Sequence, residues 1–540
     1  MRKSGLFRVL LLSVSGWVLT LACGSRTGLP PGHLLAAAGS EGFAGAPAEP
    51  ACTFDAECPQ PPPGQCGTAT CTDGSCSLEL GPICDDGDPC TVDSCTPNGC
   101  LFVDGRVDAD GDGAFASGTS SDPKAALGCG KDCDDTSPDI FPGAIELCDA
   151  LDNDCNGVVD DGAQLKLSGA APTRVSPLDA DHSGPAGLAF DGESFGASMT
   201  TYIGPKMANA GRSQGQFQQL TARGMLVGGP QLIARVNAES YGGALAWSGE
   251  RYLTAYQDAR QAGNYEVYFD LLNRKGERLI KDLRVTNADD YSMRPSVVWT
   301  GAEGLIVWED RRLEDSGGTS AIFGQRVSIE GNLIGANVQL SPAGVHAENA
   351  SVAVSDAGVG IAFVTLEPTD KTSINFMTTS RLLEAPSALT NIPFENADAP
   401  AVTALDGEYV VTFHQFDGKT YGPSIFGAVV KNGVMGVPQS MTTGAGHAQG
   451  NATVSYGDRF VMVWADTKDG SYQLYAQTFD KKLAPISSRI RLTTTMTDTL
   501  GAALASSTDG GLGVLYTDEN NGKPQTFFTR LDCTAAFQLK

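Results

Sequence analysis

Between residues 164 and 540 one pattern returns seven times, and it leaves few folds open. Each unit opens with a short apolar strand, makes a tight polar turn and returns as a second apolar strand that ends in an aromatic. Residues 245–256, 297–308, 402–413 and 454–464 show it most plainly. The turns near Gly192, Gly249, Gly301, Ala357, Gly407, Gly457 and Gly510 stand 50 to 57 residues apart. A third strand follows in most units (265–270, 322–327, 425–430, 474–479), then a short fourth of alternating polarity (283–286, 338–341, 490–493). Four antiparallel strands in ~50 residues make one propeller blade. The expected fold is therefore mainly β, a seven-bladed β-propeller over 164–540, with six or eight blades as the margin of the count. The last unit stops after its third strand, 526–531. Thr173-Arg174-Val175-Ser176, ahead of the first unit, is expected to supply the missing fourth, pairing the two ends and removing the open edge.

An aromatic-x-Asp pattern recurs where the second strand ends: Tyr256-x-Asp258, Trp308-x-Asp310, Trp464-x-Asp466 and Tyr516-x-Asp518. In a ring these aspartates share one rim. They read either as turn caps pairing with neighbours such as Arg260, Arg311 and Arg312, or as a rim that binds a cation or polar ligand.

Ahead of the propeller, residues 105–163 interleave carboxylates, glycines and cysteines more densely than any other stretch. Asp108, Asp110 and Asp112 alternate, with Gly111 and Gly113 permitting a tight loop. Such spacing opens many calcium loops, in which positions one, three and five ligate and a glycine makes the bend. Position twelve is Thr119 where an EF-hand has Glu, so further carboxylates are needed, and Asp132, Asp134 and Asp135 are the nearest supply. Asp152, Asp154 and Asn156 repeat the spacing, with Gly157 at six and Asp160 at nine. All-oxygen donors suit a hard cation and suit zinc or copper poorly. No histidine lies between residues 34 and 181. Structural Ca²⁺ is the expected cofactor, against a reading of solvated acidic turns stapled by Cys129, Cys133, Cys148 and Cys155. Nothing points to an organic cofactor.

These residues also carry a resemblance. Asp-x-Asp-Gly-Asp-Gly, Asp132-Cys133-Asp134-Asp135, Phe141-Pro142-Gly143-Ala144, Glu146-Leu147-Cys148-Asp149 and Asp152-Asn153-Asp154-Cys155-Asn156-Gly157 resemble the MopE-type metal-binding motif. The resemblance implies a secreted or surface protein of the kind found in myxobacteria and related bacteria. Ala150 and Asn156 depart from the common Gly and Asp. Asn keeps an oxygen donor with one negative charge fewer, which bears on affinity. The family's name points to copper; the donors here do not.

The chain opens with basic residues (Arg2, Lys3, Arg8) and a short apolar run, which reads as a signal peptide over 1–22. Thr20-Leu21-Ala22-Cys23 resembles a bacterial lipobox, with Thr20 in the usual aliphatic place. Cys23 is the expected lipidation site, an ordinary cleaved signal being the alternative. Residues 23–50, rich in Gly, Ala and Pro, read as a flexible tether. No later stretch reaches the ~20 apolar residues of a membrane helix, so contact with a membrane is expected through the lipid only. The protein is expected at the outer membrane or cell surface, or secreted if the lipobox is not used.

Export places the cysteines in an oxidising compartment. Of 15, setting Cys23 aside leaves 14, all disulfide candidates. Cys52, Cys58, Cys66, Cys71, Cys76, Cys84, Cys90, Cys95 and Cys100 crowd a module over 51–104, followed by Cys129, Cys133, Cys148 and Cys155. Cys533 stands alone, so these thirteen amino-terminal cysteines suggest a long-range bridge to it, or one free thiol at each end. The module has few apolar residues, so bridges must hold it, at ~2–4 kcal/mol each. It reads as a stalk or as a small ligand-binding knot; without paired Cys-x2-Cys it is a poor zinc site.

The net charge of −26 argues against a nucleic-acid partner. The five histidines are scattered, and no His-Glu-x-x-His or phosphate loop occurs. Ser507-Thr508-Asp509-Gly510-Gly511 begins like a sialidase turn but has Val514 in the aromatic place. The reading favoured is a lipid-anchored binding or adhesion protein, its propeller recognising a polysaccharide or protein. An extracellular propeller-type carbohydrate-active enzyme is the alternative.

Overall fold

The computed structural model describes residues 52–535 apart from 63–64, 89, 97, 107, 117–129, 145, 147–150, 159–162, 205–211, 235–237, 262, 314–318, 368–370, 385, 388, 393, 395, 417–420, 443–445 and 520–521. Cys23, Cys129, Cys148 and Asp160 thus lie outside the described residues. One compact unit reaches to Asp85 and takes in Asp93–Leu101; a second comprises Asp86–Val92 and everything from Phe102 onward.

In the first unit, strand Gln65–Thr72 pairs with Ser75–Ile83 across a turn at Asp73 and Gly74, both at positive φ. Bridges Cys52–Cys71, Cys58–Cys76, Cys66–Cys95 and Cys84–Cys100 hold it. Its buried apolar cluster is little more than Cys52, Cys58 and Ala69, so the cross-links do supply what a core would. Cys133–Cys155 is a further bridge, and Cys90 and Cys533 are also disulfide-bonded. The free-thiol alternative at Cys533 is thereby removed.

The second unit contains seven antiparallel sheets. Blade 1 runs His182–Phe190, Ser194–Ile203, Arg212–Thr221, Leu226–Leu232; blade 2 runs Ala244–Trp247, Tyr252–Gln261, Asn264–Leu272, Arg278–Arg284. Blade 3 runs Ser292–Trp299, Gly304–Asp310, Ala321–Val327, Leu333–Gln339; blade 6 runs Ala448–Tyr456, Arg459–Asp466, Gln473–Phe479, Ile490–Arg491. Blade 7 opens with Thr499–Ser506, Leu512–Asp518 and Gln525–Ala535. The propeller has seven blades, as expected. Second strands are covered on both faces, which is why they read as unbroken apolar runs; Leu305, Ile306, Val307 and Trp308 are all fully buried. The core is seven apolar layers, one between each pair of neighbouring blades, including the layer between blade 7 and blade 1. First strands line the axis, each packed against the first strands of both neighbours.

Closure follows the expected route and goes further. The third strand of blade 7, Gln525–Ala535, pairs Phe527 with Arg174 and Phe528 with Thr173. Val175 N–H then donates to Thr526 O at 2.8 Å. The far half of the same strand pairs with Ala163–Leu167, Leu531 opposite Leu167 and Cys533 opposite Leu165. This second strip was not foreseen. Arg530, almost wholly buried, binds Asp509 at 2.6 Å, Asp532 at 2.5 Å and Ala222 O of blade 1 at 2.6 Å. The Ser507–Asp509 turn is therefore part of the closure: Ser507 Oγ donates to Asp509 at 2.6 Å.

A bulge in the axial strands was also unforeseen. Register slips at Met293/Ser296, Glu348/Ser351, Asp398/Ala401, Gln449/Ala452 and Leu500/Ala502. One residue in each adopts positive φ: Arg294, Asn349, Ala399, Gly450 and Gly501. The extra residue bends the strand where it passes the axis.

Phe528 sits in the layer shared by blades 7 and 1, its ring 5.2 Å from that of Phe195. Phe528→Ala is expected to cost about 3–5 kcal/mol in urea unfolding, the loss for a core phenylalanine. A loss below ~1 kcal/mol would place this residue at an open edge and contradict a closed ring.

Candidate metal centre

The first acidic loop is shaped by its own backbone. Asp108 accepts from Gly111 N–H at 2.7 Å and from Gly113 N–H at 3.2 Å. Asp110 Oδ1 accepts from Asp112 N–H at 3.2 Å, and Asp112 Oδ1 from Ala114 N–H at 2.7 Å. Gly111 and Gly113 have φ of 84° and 96°, the left-handed region that glycine enters freely. The second oxygens of Asp110 and Asp112 are buried. Oxygens of Asp108, Asp110 and Asp112 lie within 4.8 Å of one another.

A second segment is pressed against this loop. Asp132 N–H donates to Phe115 O at 3.1 Å and Gly130 N–H to Ala116 O at 3.0 Å. A Cβ on Gly130 would stand 1.5 Å from Phe115 O, so only glycine allows the approach. Asp132 is 1% exposed. Its Oδ1 accepts from Asp134 N–H at 2.8 Å. Its Oδ2, like Oδ2 of Asp110 and of Asp112, is buried with no hydrogen-bond partner among the described residues. Burial pushes the Asp132 carboxyl up, and the charges of Asp112, Asp110 and Asp135 push it further. Three buried carboxylate oxygens with nothing to donate to them are costly unless a cation is shared.

The second loop repeats the design. Asp152 accepts from Asn156 N–H at 3.0 Å and Gly157 N–H at 2.7 Å; Asp154 Oδ1 accepts from Asn156 N–H at 3.1 Å. Its third carboxylate was missed. Buried Glu146 accepts from Asp154 N–H at 2.8 Å, and oxygens of Glu146, Asp152 and Asp154 lie within 4.8 Å of one another. A search for Glu at position twelve looks in the wrong direction, because this Glu stands six residues before the loop. Cys133–Cys155 staples the two segments, and Phe141 N–H donates to Asn153 O at 2.8 Å.

The other expected donors divide. Asp135 Oδ1 accepts from Ala109 N–H at 3.1 Å, tying it to the first loop. Asp134 Oδ1 is engaged by Thr136 N–H and Oγ1, at 3.3 and 2.6 Å, as a local turn cap. Asn156 Oδ1 accepts from Val158 N–H at 2.9 Å. The residues fit a hard divalent cation: every donor is oxygen, and Cys133 and Cys155, the cysteines of these loops among the described residues, are joined in a disulfide. A bound cation would neutralise the buried oxygens and hold the loops together.

The rim aspartates are a separate matter. Asp258 and Asp310 are fully buried and pair with Arg260 and Arg312 at 2.8 and 2.6 Å. Asp310 also receives Trp308 Nε1–H at 2.7 Å. In these two blades the geometry is that of a capped, charge-paired turn.

Residues 132–161 match the MopE-type copper-binding family, whose description is "Putative metal-binding motif". Fold and site together define a β-propeller protein carrying a metal-binding motif. No curated protein matches the chain. Among solved structures, it is similar to a protein of unknown function from Dyadobacter fermentans (12% identity, TM-score 0.44, covering 69% of this chain and 100% of that one). It is also similar to the polysaccharide lyase Uly1 (10%, 0.44, 68% and 94%). A third is the β-propeller domain of the Trilobed protease from Pyrococcus furiosus (11%, 0.41, 66% and 97%).

Asp132→Asn separates a metal site from stapled turns by the sign of its effect. Without metal it relieves like-charge repulsion and should raise the melting temperature. With Ca²⁺ it should remove most of the metal-dependent gain, so the two curves converge. Destabilisation of equal size in both conditions would mark Asp132 as a simple turn residue.

Proposed function

We propose that the protein is a surface-exposed, lipid-anchored binding or adhesion protein, with structural Ca²⁺ in the neck between its cysteine-rich module and its propeller. The observation that carries the metal half is Asp132: a carboxylate 1% exposed, acted on by the charges of Asp110, Asp112 and Asp135, with a buried oxygen that no described residue satisfies. Calcium is favoured over the copper of the family name because the donors are carboxylates and no imidazole is among them. The propeller is the recognition module. Its Ser507–Asp509 turn is occupied by Arg530, which argues against reading that turn as catalytic. Its ligand is a surface polysaccharide or a protein, and its attachment to the membrane is through Cys23.

Calorimetry of the full chain tests the metal. Ca²⁺ should raise the melting temperature in proportion to ln(1 + [Ca²⁺]/Kd). Asp110→Asn and Asp154→Asn should each weaken binding. A response to Cu²⁺ with none to Ca²⁺ would overturn the assignment.

The anchor has its own test. A radiolabelled fatty acid should mark the wild type and spare Cys23→Ser, which should appear in the medium. Labelling of both would sink the lipobox.

A further inference from the structure

The blades are copies, so a place that one blade leaves open can be read against those that fill it. In four blades the aromatic of an aromatic-x-Asp second strand stands directly across from an aromatic on the third: Tyr256 and Tyr268, Trp308 and Phe323, Trp464 and Tyr475, Tyr516 and Phe527. Two residues after the first aromatic comes the buried aspartate. Two residues further, blades 2, 3 and 6 carry a cation. Arg260, Arg312 and Lys468 lie over the third-strand rings, at 4.1, 4.5 and 4.4 Å from the ring centres. In blades 2 and 3 the guanidinium also pairs with the aspartate, and a fourth-strand residue closes the cage: Asp282 at 2.9 Å from Arg260, Asn337 at 3.2 Å from Arg312.

Blade 7 keeps the cage and lacks the cation. The residue two past Asp518 is Asn520. Among the described residues no cation lies over Phe527 or pairs with Asp518. That carboxylate, 5% exposed, accepts from the Thr497 hydroxyl at 2.9 Å. Burial pushes its carboxyl up, as expected of a buried carboxylate without a counter-charge. A cavity of about 350 Å³ opens here, lined by Asp518, Tyr516, Phe527, Leu492, Pro172 and Thr495. Pro172 comes from the closing segment, where blade 3 has Asn337. Leu492 comes from the preceding blade, where Val285 stands beside Asn337. The cavity occupies the position that Arg312 fills in blade 3.

We propose that this cavity binds an organic cation, a guanidinium or primary ammonium group on a slim aliphatic stem, paired with Asp518 and stacked on Phe527. The ring face and the carboxylate together form the environment in which such cations are held elsewhere in this protein. The overall charge of −26 favours their approach. The group could be carried by a free amine or by an arginine or lysine side chain of a partner. Either source presents the same head to the cavity.

The test uses the full chain with agmatine, cadaverine and, as uncharged control, n-pentanol. Agmatine or cadaverine should bind in calorimetry and raise the melting temperature, while pentanol should not. Asp518→Asn should weaken binding at least about tenfold. Asn520→Arg supplies the cation in the chain, as in blade 3. It should raise the melting temperature without ligand and abolish the response to agmatine, which keeps the test decisive if Asp518→Asn folds poorly. A short arginine peptide amide binding more tightly than agmatine assigns a partner side chain; agmatine alone binding assigns a free amine. Failure of both probes to bind the wild type, or equal binding to wild type and Asn520→Arg, overturns the proposal. The metal reading is unaffected by either result.

Discussion

Every other feature of the propeller depends on one strand pairing. The last third strand, Gln525–Ala535, receives Thr173–Arg174 on one half and Ala163–Leu167 on the other. Closing a loop of some 350 residues costs less than it appears to, because loop entropy grows only logarithmically with length. What the pairing brings is a seventh apolar layer. Without it, Leu188, Phe195 and Ala197 of blade 1 and Leu515 and Phe528 of blade 7 would face water, and two strand edges would lie open to other chains. Six layers would then be strained by an end they cannot cover. Arg530 is the polar counterpart, its buried side chain joining the blade 7 turn, Asp532 and a carbonyl of blade 1.

The acidic segment works by a different economy of forces. It has almost no apolar core, and its backbone N–H groups are satisfied by aspartate oxygens. Asp108 and Asp152 use both oxygens to shape their loops, whereas Asp110, Asp112 and Asp132 give one oxygen to the backbone and keep the other for an ion. The loops are thus organised before any ion arrives, so less ordering is left for the binding step. The same arrangement concentrates negative charge, which destabilises the segment without a cation. The strand Ala163–Leu167 begins where this segment ends. Order in the acidic loops and order in the ring's closing strand therefore meet at a short stretch of backbone.

Much of this was legible in the sequence because it is periodic. Seven turns at near-equal spacing gave seven blades, and the missing fourth strand pointed to Thr173–Ser176. Alternating aspartates with Gly111 and Gly157 marked both loops. The rest escaped for identifiable reasons. The axial bulge falls at Arg294, Asn349, Ala399, Gly450 and Gly501, five positions with no shared chemistry, since what repeats is a backbone angle. Glu146 lay on the unexpected side of its loop, and a carboxylate's reach across a turn leaves no spacing rule. Ala163–Leu167 reads as linker until its partner strand, more than 350 residues later, is known. The disulfide pairing depended on which strands meet, which cysteine spacing does not encode.

Repetition also changes what a single residue can mean. In an unrepeated fold, a buried Asp518 beside a small cavity would be one of many imperfect packings. Here the same place is built four times, and three copies contain a cation over the ring. Natural cores do not leave a buried carboxylate without a compensating charge in one copy of a motif at no cost. Loss of the arginine would ordinarily be followed by loss of the aspartate, or by collapse of the space under Pro172 and Leu492. Neither has happened in blade 7. Retention of both the carboxylate and the room for its partner is the pattern expected when the partner comes from outside the chain.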